Sequence, residues 1–211
     1  MNAELVNGFW VPSNDVHIEQ WRSGKPFTQN KCLDEFLQMI KEKNLKFHTA
    51  LDIGAWCGTW SAQLATYCKK IYAIEPDKTH FECLAKNLSK NKNIELLDCA
   101  IGDTEALVSL TDDDFTQARR IQDSGNIPMR TIDSFQFKDV ELIKIDVEGF
   151  EMKVILGATD TLKNCKFLMI ELNNNSQKYN SSNIEIEKYL KNQGFTTLIS
   201  KWPDKVFVRH N

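Results

Sequence analysis

Apolar and polar positions alternate in blocks along the chain from residue 49 onward. Short apolar runs, which predict strands buried on both faces, occupy residues 49–53, 71–75, 94–98, 141–146 and 166–172. Segments between them carry apolar residues at helical intervals and predict helices over residues 59–70, 78–91, 151–165 and 183–194. Strands that alternate with helices in this way predict an α/β fold, with a mostly parallel sheet covered by helices on both faces.

Three segments depart from this alternation. Residues 106–132 predict two short half-exposed strands around a polar loop at 115–126, and residues 196–210 predict an antiparallel hairpin that turns at 202–204. The first 30 or so residues have weak periodicity but hold Phe9, Trp10, Trp21 and Phe27. We therefore predict that residues 1–48 form an N-terminal extension, or flap, on one core domain of residues 49–211.

Composition narrows the class of protein. Of 211 residues, 42% are hydrophobic and 26% are charged, which is ordinary for a globular domain, and a net charge of −3 disfavours a dedicated binder of duplex nucleic acid. The six cysteines lack short paired spacing, so they predict buried thiols in a reducing compartment rather than disulfides or a zinc site. No signal peptide or membrane-spanning run is evident, and this predicts a cytoplasmic protein without membrane contact.

Every predicted strand of the core is followed by an acid or a glycine. These residues are Asp52, Gly54 and Gly58, then Glu75, Asp98, the pair Asp146 and Glu148, and Glu171. Because ligands of parallel sheets bind outside the carboxyl ends of the strands, we expect these residues to meet at one crevice. An acid placed like Glu75, 21 residues after Gly54, suits the two hydroxyls of a ribose.

Two classes of ligand fit this plan. A dinucleotide such as NAD needs glycines that let its pyrophosphate approach the backbone, but here the turn reads Gly-Ala-Trp-Cys-Gly and Trp56 would crowd a phosphate. S-adenosylmethionine has no phosphate, and its cationic sulfonium and ammonium groups are favoured by carboxylates such as Asp52 and Asp146. The residues therefore favour the methyl donor, and an NAD-dependent oxidoreductase stays as an alternative.

Several motifs, in order over residues 49–173, resemble those of the FkbM family of methyltransferases. They read ALDIGAWCGTWS, YAIEPD, CAIGD, TIDSF, LIKIDVEGFEMKVILGA and LMIEL, of which IKIDVEGFE is the most specific. The resemblance implies a class I, Rossmann-like methyltransferase with a seven-stranded mostly parallel sheet. It also implies S-adenosylmethionine as cofactor and methylation of hydroxyl oxygens on sugars or natural products. Trp56 departs from the family, which usually has a small polar residue there.

The resemblance further implies which residues contact the cofactor. Asp52, Gly54 and Gly58, with Ala55 and Trp56 between them, would line its methionine portion. The ribose would be held by Glu75, beside Pro76 and Asp77. The adenine would be flanked by Asp98, Cys99 and Ala100, and Asp146 would face the sulfonium next to the acceptor.

The acids of the IKIDVEG segment predict the chemistry. Strand periodicity places Asp146 and Glu148 on one side at the strand tip, whereas Glu151 falls at the start of the next helix and complements its dipole. We predict that Glu148 is the base that removes the proton of an acceptor hydroxyl, that Asp146 orients it, and that Glu171 binds the acceptor. Alternatively, these three acids bind a divalent cation, Mg or Ca, that activates the hydroxyl.

Lys144 lies inside a predicted buried strand, and we interpret it as a structural residue paired with an acid. A catalytic role would need a second lysine at another strand tip, as in ribose methylation of RNA, and none is evident. The leading hypothesis is therefore an O-methyltransferase that acts on a sugar or small metabolite. The alternatives are a nucleic-acid ribose 2′-O-methyltransferase and a non-catalytic module that binds S-adenosylmethionine.

Overall fold

A seven-stranded sheet forms the centre of the protein, which we describe from a computed structural model over residues 3–25, 30–111 and 120–210. In spatial order its strands are β12 (Phe195–Lys201), β13 (Asp204–Arg209), β11 (Phe167–Glu171), β10 (Val140–Ile145), β3 (Phe47–Ile53), β4 (Cys68–Ile74) and β5 (Ile94–Leu97). Neighbouring strands from β11 to β5 run parallel, and β13 runs antiparallel to both of its neighbours. The predicted strands and the C-terminal hairpin are thus confirmed.

Helices cover both faces of this sheet, as the sequence predicts. One face packs against α2 (Lys31–Glu42), α3 (Thr59–Leu64) and α4 (Lys78–Asn87), and the other against α5 (Glu151–Leu156) and α6 (Asn183–Asn192). Alternation along β10 divides the two cores, because Leu142 packs with α2 whereas Ile143 and Ile145 pack with α5 and α6. None of the helices in the described ranges is long and apolar enough to cross a membrane.

Two helices end well before their predicted ends, each for a steric or pairing reason, and α4, expected to reach residue 91, ends at Asn87. The helix expected over 59–70 ends at Leu64, because Cys68 already pairs with Phe47 at the start of β4. The helix expected over 151–165 ends at Leu156. There Gly157 passes so close to the carbonyl oxygen of Gly102 that an added Cβ would lie 2.0 Å from it.

The N-terminal region contains more regular structure than its sequence predicts. A hairpin of β1 (Ala3–Val6) and β2 (Phe9–Pro12) precedes α1 (Ile18–Arg22). The helix α2 then packs on the sheet through its apolar stripe of Leu33, Phe36 and Ile40. Its first turn is capped by Asn30, whose side-chain oxygen accepts a hydrogen bond from the Leu33 amide at 2.9 Å. The domain boundary at residue 48 stays a prediction, and Phe27 lies outside the described residues.

The β1–β2 hairpin is fixed to the core by Asn87 at the end of α4. The Asn87 side chain accepts a hydrogen bond from the Trp10 amide at 2.7 Å and donates to the Trp10 carbonyl at 2.9 Å. The Lys86 ammonium also lies 3.7 Å from the centre of the Trp10 ring. These contacts hold the hairpin next to the turn after β3.

A second, four-stranded sheet lies between β5 and β10 in the chain. Its strands, in spatial order, are β6 (Ala100–Ile101), β9 (Ile127–Arg130), β7 (Ala106–Leu110) and β8 (Ile121–Asp123). The sequence predicts β7 and β9 but neither β6 nor β8, which falls within the predicted polar loop. Residues 112–119, which include the first five residues of that loop, lie outside the described residues.

All six cysteines are buried and free, as their spacing predicts. Each packs as a small apolar side chain.

Candidate active site

A cavity of about 430 Å³ opens at the carboxyl ends of β3, β4, β10 and β11. This volume lies in the range of small-molecule sites. Eleven of the residues that the sequence singles out line it: Gly54, Ala55, Trp56, Glu75, Pro76, Asp77, Cys99, Ala100, Asp146, Glu148 and Glu171. The shared edge of a parallel sheet therefore brings these residues together, as expected.

Three singled-out residues do not line the cavity. Asp52 is 0% exposed and lies beneath the turn, where it accepts a hydrogen bond from the Ser61 hydroxyl at 2.7 Å. Gly58 begins α3 with φ of 92° and packs against Leu84, to which an added Cβ would come within 2.8 Å. Asp98 is exposed outside the cavity. Asp52 and Gly58 thus lie behind the turn, and their contact with a cofactor stays a prediction.

The turn after β3 touches the tip of β10. Gly54 has φ of 73°, and a Cβ there would lie 1.9 Å from the carbonyl oxygen of Asp146, so only glycine fits. Trp56 also has a positive φ, 48°. Its ring turns toward the N-terminal region and packs 5.5 Å from Trp21 and 6.3 Å from His80, measured between ring centroids. Trp56 therefore fills space at this turn that the phosphate of a dinucleotide would need.

Glu75 is held in one orientation at the tip of β4. One of its carboxylate oxygens accepts a hydrogen bond from the Trp56 amide at 2.8 Å, and the other from the Asp77 amide at 2.9 Å. His80, which is buried, has its Nδ1 3.5 Å from that second oxygen. Burial lowers the pKa of His80, but the hydrogen bond and charge of Glu75 outweigh it and leave that pKa raised. The Glu75 oxygen that is bonded to the Trp56 amide retains a lone pair for a ligand hydroxyl.

Lys144 joins the turn after β3 to the tip of β10. Its ammonium lies 3.2 Å from an Asp52 oxygen and 3.5 Å from an Asp146 oxygen, and it donates a hydrogen bond to the Gly54 carbonyl. Burial lowers the pKa of Lys144, but the charges of Asp52 and Asp146 outweigh it and raise the pKa. The prediction that Lys144 pairs with an acid is confirmed. Its contact with the cavity was not predicted, although its place two residues before Asp146 in a buried strand is a usable signal.

Asp146, Glu148 and Glu171 converge at one end of the cavity. One carboxylate oxygen from each lies within 4.8 Å of the other two. The cause is not strand periodicity alone, because β10 ends at Ile145 and Glu148 lies in a left-handed turn with φ of 54°. That turn, completed by Gly149, directs Glu148 back toward the neighbouring strand tip.

Two asparagines after β11 hold these carboxylates, and neither was predicted. Asn175 donates a side-chain hydrogen bond to Glu148 at 2.9 Å, and Asn173 donates to the same oxygen at 3.3 Å. Asn173 also donates to Glu171 at 2.6 Å. The run of three asparagines that follows Leu172 was the available signal.

Burial and the repulsion of nearby carboxylates raise the pKa values of Glu148, Glu171 and Asp204. Burial raises the pKa of Glu148, and the charge of Asp146 adds to it. Burial, then the charges of Asp146 and Glu148, raise the pKa of Glu171 to about 9. Asp204 lies opposite Glu171 in the β11–β13 register, and burial with the charge of Asp146 raises its pKa to about 6. Close acids of this kind resist simultaneous ionisation.

Glu151 lies at the start of α5 and outside the cavity lining, as the helix-start interpretation predicts. It accepts a hydrogen bond from the Gly149 amide at 2.8 Å. Burial raises the pKa of Glu151 to about 7.

The raised pKa of Glu171 predicts a loss of stability as pH rises. Unfolded glutamate ionises near pH 4.5, whereas folded Glu171 keeps its proton up to about pH 9, so the folded state binds more protons between these values. We expect the free energy of unfolding to fall by about 1–3 kcal/mol between pH 5 and pH 9, and Glu171→Gln to flatten that fall. Urea titrations across this range with EDTA present test it.

Exposed Glu42 offers the matched control. Glu42→Gln should keep the wild-type slope, whereas an unchanged slope in Glu171→Gln would contradict the assignment of this proton to Glu171. In Glu171→Gln, the free energy of unfolding should still fall with pH, but less steeply, because the pKa values of Glu151 and Asp204 are also raised.

Solved structures of methyltransferases share this fold. A putative methyltransferase from Streptococcus mutans in complex with SAH aligns with a TM-score of 0.54 and 13% identity, covering 85% of this chain and 97% of that one. The N-methyltransferase NodS from Bradyrhizobium japonicum, in complex with S-adenosyl-L-homocysteine, aligns with a TM-score of 0.53 and 11% identity, covering 90% and 92%. The fold is thus the class I, Rossmann-like methyltransferase fold, as predicted.

A more specific similarity comes from sequence. The chain is 20% identical to the hexuronic acid methyltransferase AglP of Haloferax volcanii, with 65% of this chain and 61% of that relative covered. The sequence model of the Methyltransferase FkbM domain matches residues 50–197, which is well over half of the chain. This chain belongs to the FkbM methyltransferase family.

Proposed function

We propose that this protein is an S-adenosylmethionine-dependent methyltransferase that methylates a hydroxyl oxygen of a sugar or small metabolite. The observation that carries the proposal is the convergence of Glu75, Asp146, Glu148 and Glu171 on one cavity at the strand tips. The family supports methyl transfer, and the relative named as a hexuronic acid methyltransferase supports a sugar-like acceptor.

The residues of the cavity fit the methyl donor. Glu75, whose carboxylate is oriented by backbone amides, would accept a hydrogen bond from the ribose diol. Cys99 and Ala100 offer an apolar wall for adenine, and Gly54 leaves room at the methionine end. Asp146, 40% exposed, would face the cationic sulfur. The bound donor supplies an electrophilic methyl group at the acid end of the cavity.

Glu148 is suited to act as the general base. Its raised pKa brings it closer to neutral pH, where a carboxylate is a more effective base. Glu148 would take the proton of the acceptor hydroxyl while that oxygen bonds to the methyl carbon and the carbon–sulfur bond breaks. Asn173 and Asn175 would hold Glu148 in line, and Glu171 would bind the acceptor beside it.

A divalent cation at the same three acids is the competing mechanism, because their oxygens lie close enough to coordinate one ion. The asparagine amides compete with it, since they already donate to one oxygen of Glu148 and to one oxygen of Glu171. Methyl transfer that is unchanged by EDTA, with no rise in melting temperature on adding magnesium chloride, would support the base mechanism. Loss of the rate in EDTA would support the metal.

Glu75→Gln tests the cofactor assignment. We expect the wild-type protein to bind S-adenosylhomocysteine but not NAD in titration calorimetry, and Glu75→Gln to weaken that binding about ten-fold. The variant lacks one charged acceptor of hydrogen bonds from hydroxyls, and a ten-fold loss of affinity corresponds to about 1.4 kcal/mol of binding free energy. Exposed Glu105 is the matched control, and Glu105→Gln should bind normally.

The same measurement separates the alternatives. Absence of any heat with S-adenosylhomocysteine would overturn the proposed function. Normal binding with no methyl transfer to any sugar or polyol in a broad panel would instead favour a non-catalytic module.

A further inference from the structure

The acid end of the cavity holds more carboxyl groups than its surroundings can balance as carboxylates. Asp146, Glu148, Glu171 and Asp204 all line it. Along the described parts of the chain, Lys144 is the only lysine or arginine that lines the cavity, and Lys144 is already shared with Asp52, which is fully buried. Buried carboxylates without a cation are costly, so this imbalance calls for a positive partner from outside the chain.

The other groups that face these acids do not neutralise their negative charge. Glu148 and Glu171 receive hydrogen bonds from the neutral amides of Asn173 and Asn175, and Asp204 receives one from Asn30. Lys178 on the segment after β11 lowers the pKa of Glu148 by its charge, but it is exposed, outside the lining, and donates to the Asn175 side chain at 2.8 Å. Glu151 on α5 adds further negative charge.

The proposed reaction assigns a partner group to two of the four acids at this end of the cavity. Asp146 faces the single positive charge of the donor's sulfur, and Glu148 faces the hydroxyl whose proton leaves. Glu171 and Asp204 remain, directly opposite each other on β11 and β13. An ammonium group between them would donate charge-assisted hydrogen bonds to carboxylates on two sides.

We infer that the acceptor carries a positively charged amino group beside the hydroxyl that is methylated, and that Glu171 and Asp204 select it. The inference rests on the proposed function and names its substrate class as an amino sugar or amino alcohol. An acceptor with its own carboxylate, the class named for the relative from Haloferax volcanii, would instead meet four acids here. The raised pKa values of Glu171 and Asp204 agree with this, because a bound cation relieves the crowding that raises them.

Three pyranoses of matched shape test the inference by binding alone. The full chain, saturated with S-adenosylhomocysteine in EDTA at pH 7, is titrated with glucosamine, N-acetylglucosamine and glucuronate. We expect glucosamine to bind at least ten-fold more tightly than N-acetylglucosamine, and glucuronate to give no heat. Asp204→Asn should reduce the preference for glucosamine about five-fold or more. Asp139→Asn, at the opposite edge of the sheet and 67% exposed, should leave it unchanged.

Each other outcome overturns the inference. It fails if glucosamine does not bind, if it binds no better than N-acetylglucosamine, or if glucuronate binds as well. It also fails if the cluster takes up magnesium from magnesium chloride and the preference for glucosamine disappears. All of these leave binding of S-adenosylhomocysteine intact, whereas loss of that binding in the wild-type protein is what overturns the proposed function itself.

Discussion

Glu148→Gln is expected to lower the rate constant of methyl transfer about 10²- to 10⁴-fold, the usual contribution of a positioned general base. Glutamine keeps the shape of the side chain and an oxygen that accepts hydrogen bonds from Asn173 and Asn175, but it cannot take a proton. Because Glu148 would contact the acceptor rather than the donor, affinity for S-adenosylhomocysteine should change less than three-fold.

The pH dependence of the rate tests whether Glu148 acts as a base. A base works only when ionised, so the wild-type rate should fall as pH drops through the pKa of Glu148, which burial and Asp146 raise above its usual range. Single-turnover transfer of a labelled methyl group measures this rate. The control is Glu185→Gln, at an exposed position of α6. A Glu148→Gln enzyme at the full wild-type rate would show that the base lies elsewhere.

The central sheet and the position of the cavity follow from the sequence because they depend on local pattern and one topological rule. The run of β10 is apolar on both faces, so it marks a central parallel strand before any contact is known. Glu75 and Asp146 then fall at the same edge because each follows a strand of one parallel sheet.

Several features of the site depend on contacts between distant residues, and the sequence does not predict them. Glu148 reaches Glu171 through a left-handed turn, a conformation that strand periodicity cannot indicate for glutamate. Asp204 enters the cavity because β13 pairs antiparallel with β11, which places Asp204 beside Glu171 although 33 residues separate them in the chain. The helix α2, which lies in the predicted N-terminal extension, gains its order largely by packing its apolar stripe on the sheet.

Lys144 is a further residue whose role depends on contacts with residues that are distant in the chain. Its ammonium links Asp52 beneath the turn with Asp146 at the acid end of the cavity. The residue therefore connects the element that would hold the cofactor to the element that would hold the acceptor.

Lys144→Met is expected to lower the free energy of unfolding by about 3–5 kcal/mol, the usual cost of removing one partner from a buried ion pair. Methionine fills a similar volume, so the loss comes from Asp52, which is 0% exposed and would keep only its hydrogen bond from Ser61. Urea unfolding at pH 7 measures the change. A loss below about 1 kcal/mol would contradict a buried charge pair at this position.

The double variant Asp52→Asn with Lys144→Met separates charge from packing, and it guards against a single variant that fails to fold. Removing both charges should cost less than the sum of the two single changes by about 1–3 kcal/mol, because the uncompensated charge is then absent. Strict additivity would mean that Lys144 acts only as an apolar stem. If the double variant regains stability but still binds S-adenosylhomocysteine weakly, Lys144 also positions the turn at Gly54, whose carbonyl it holds.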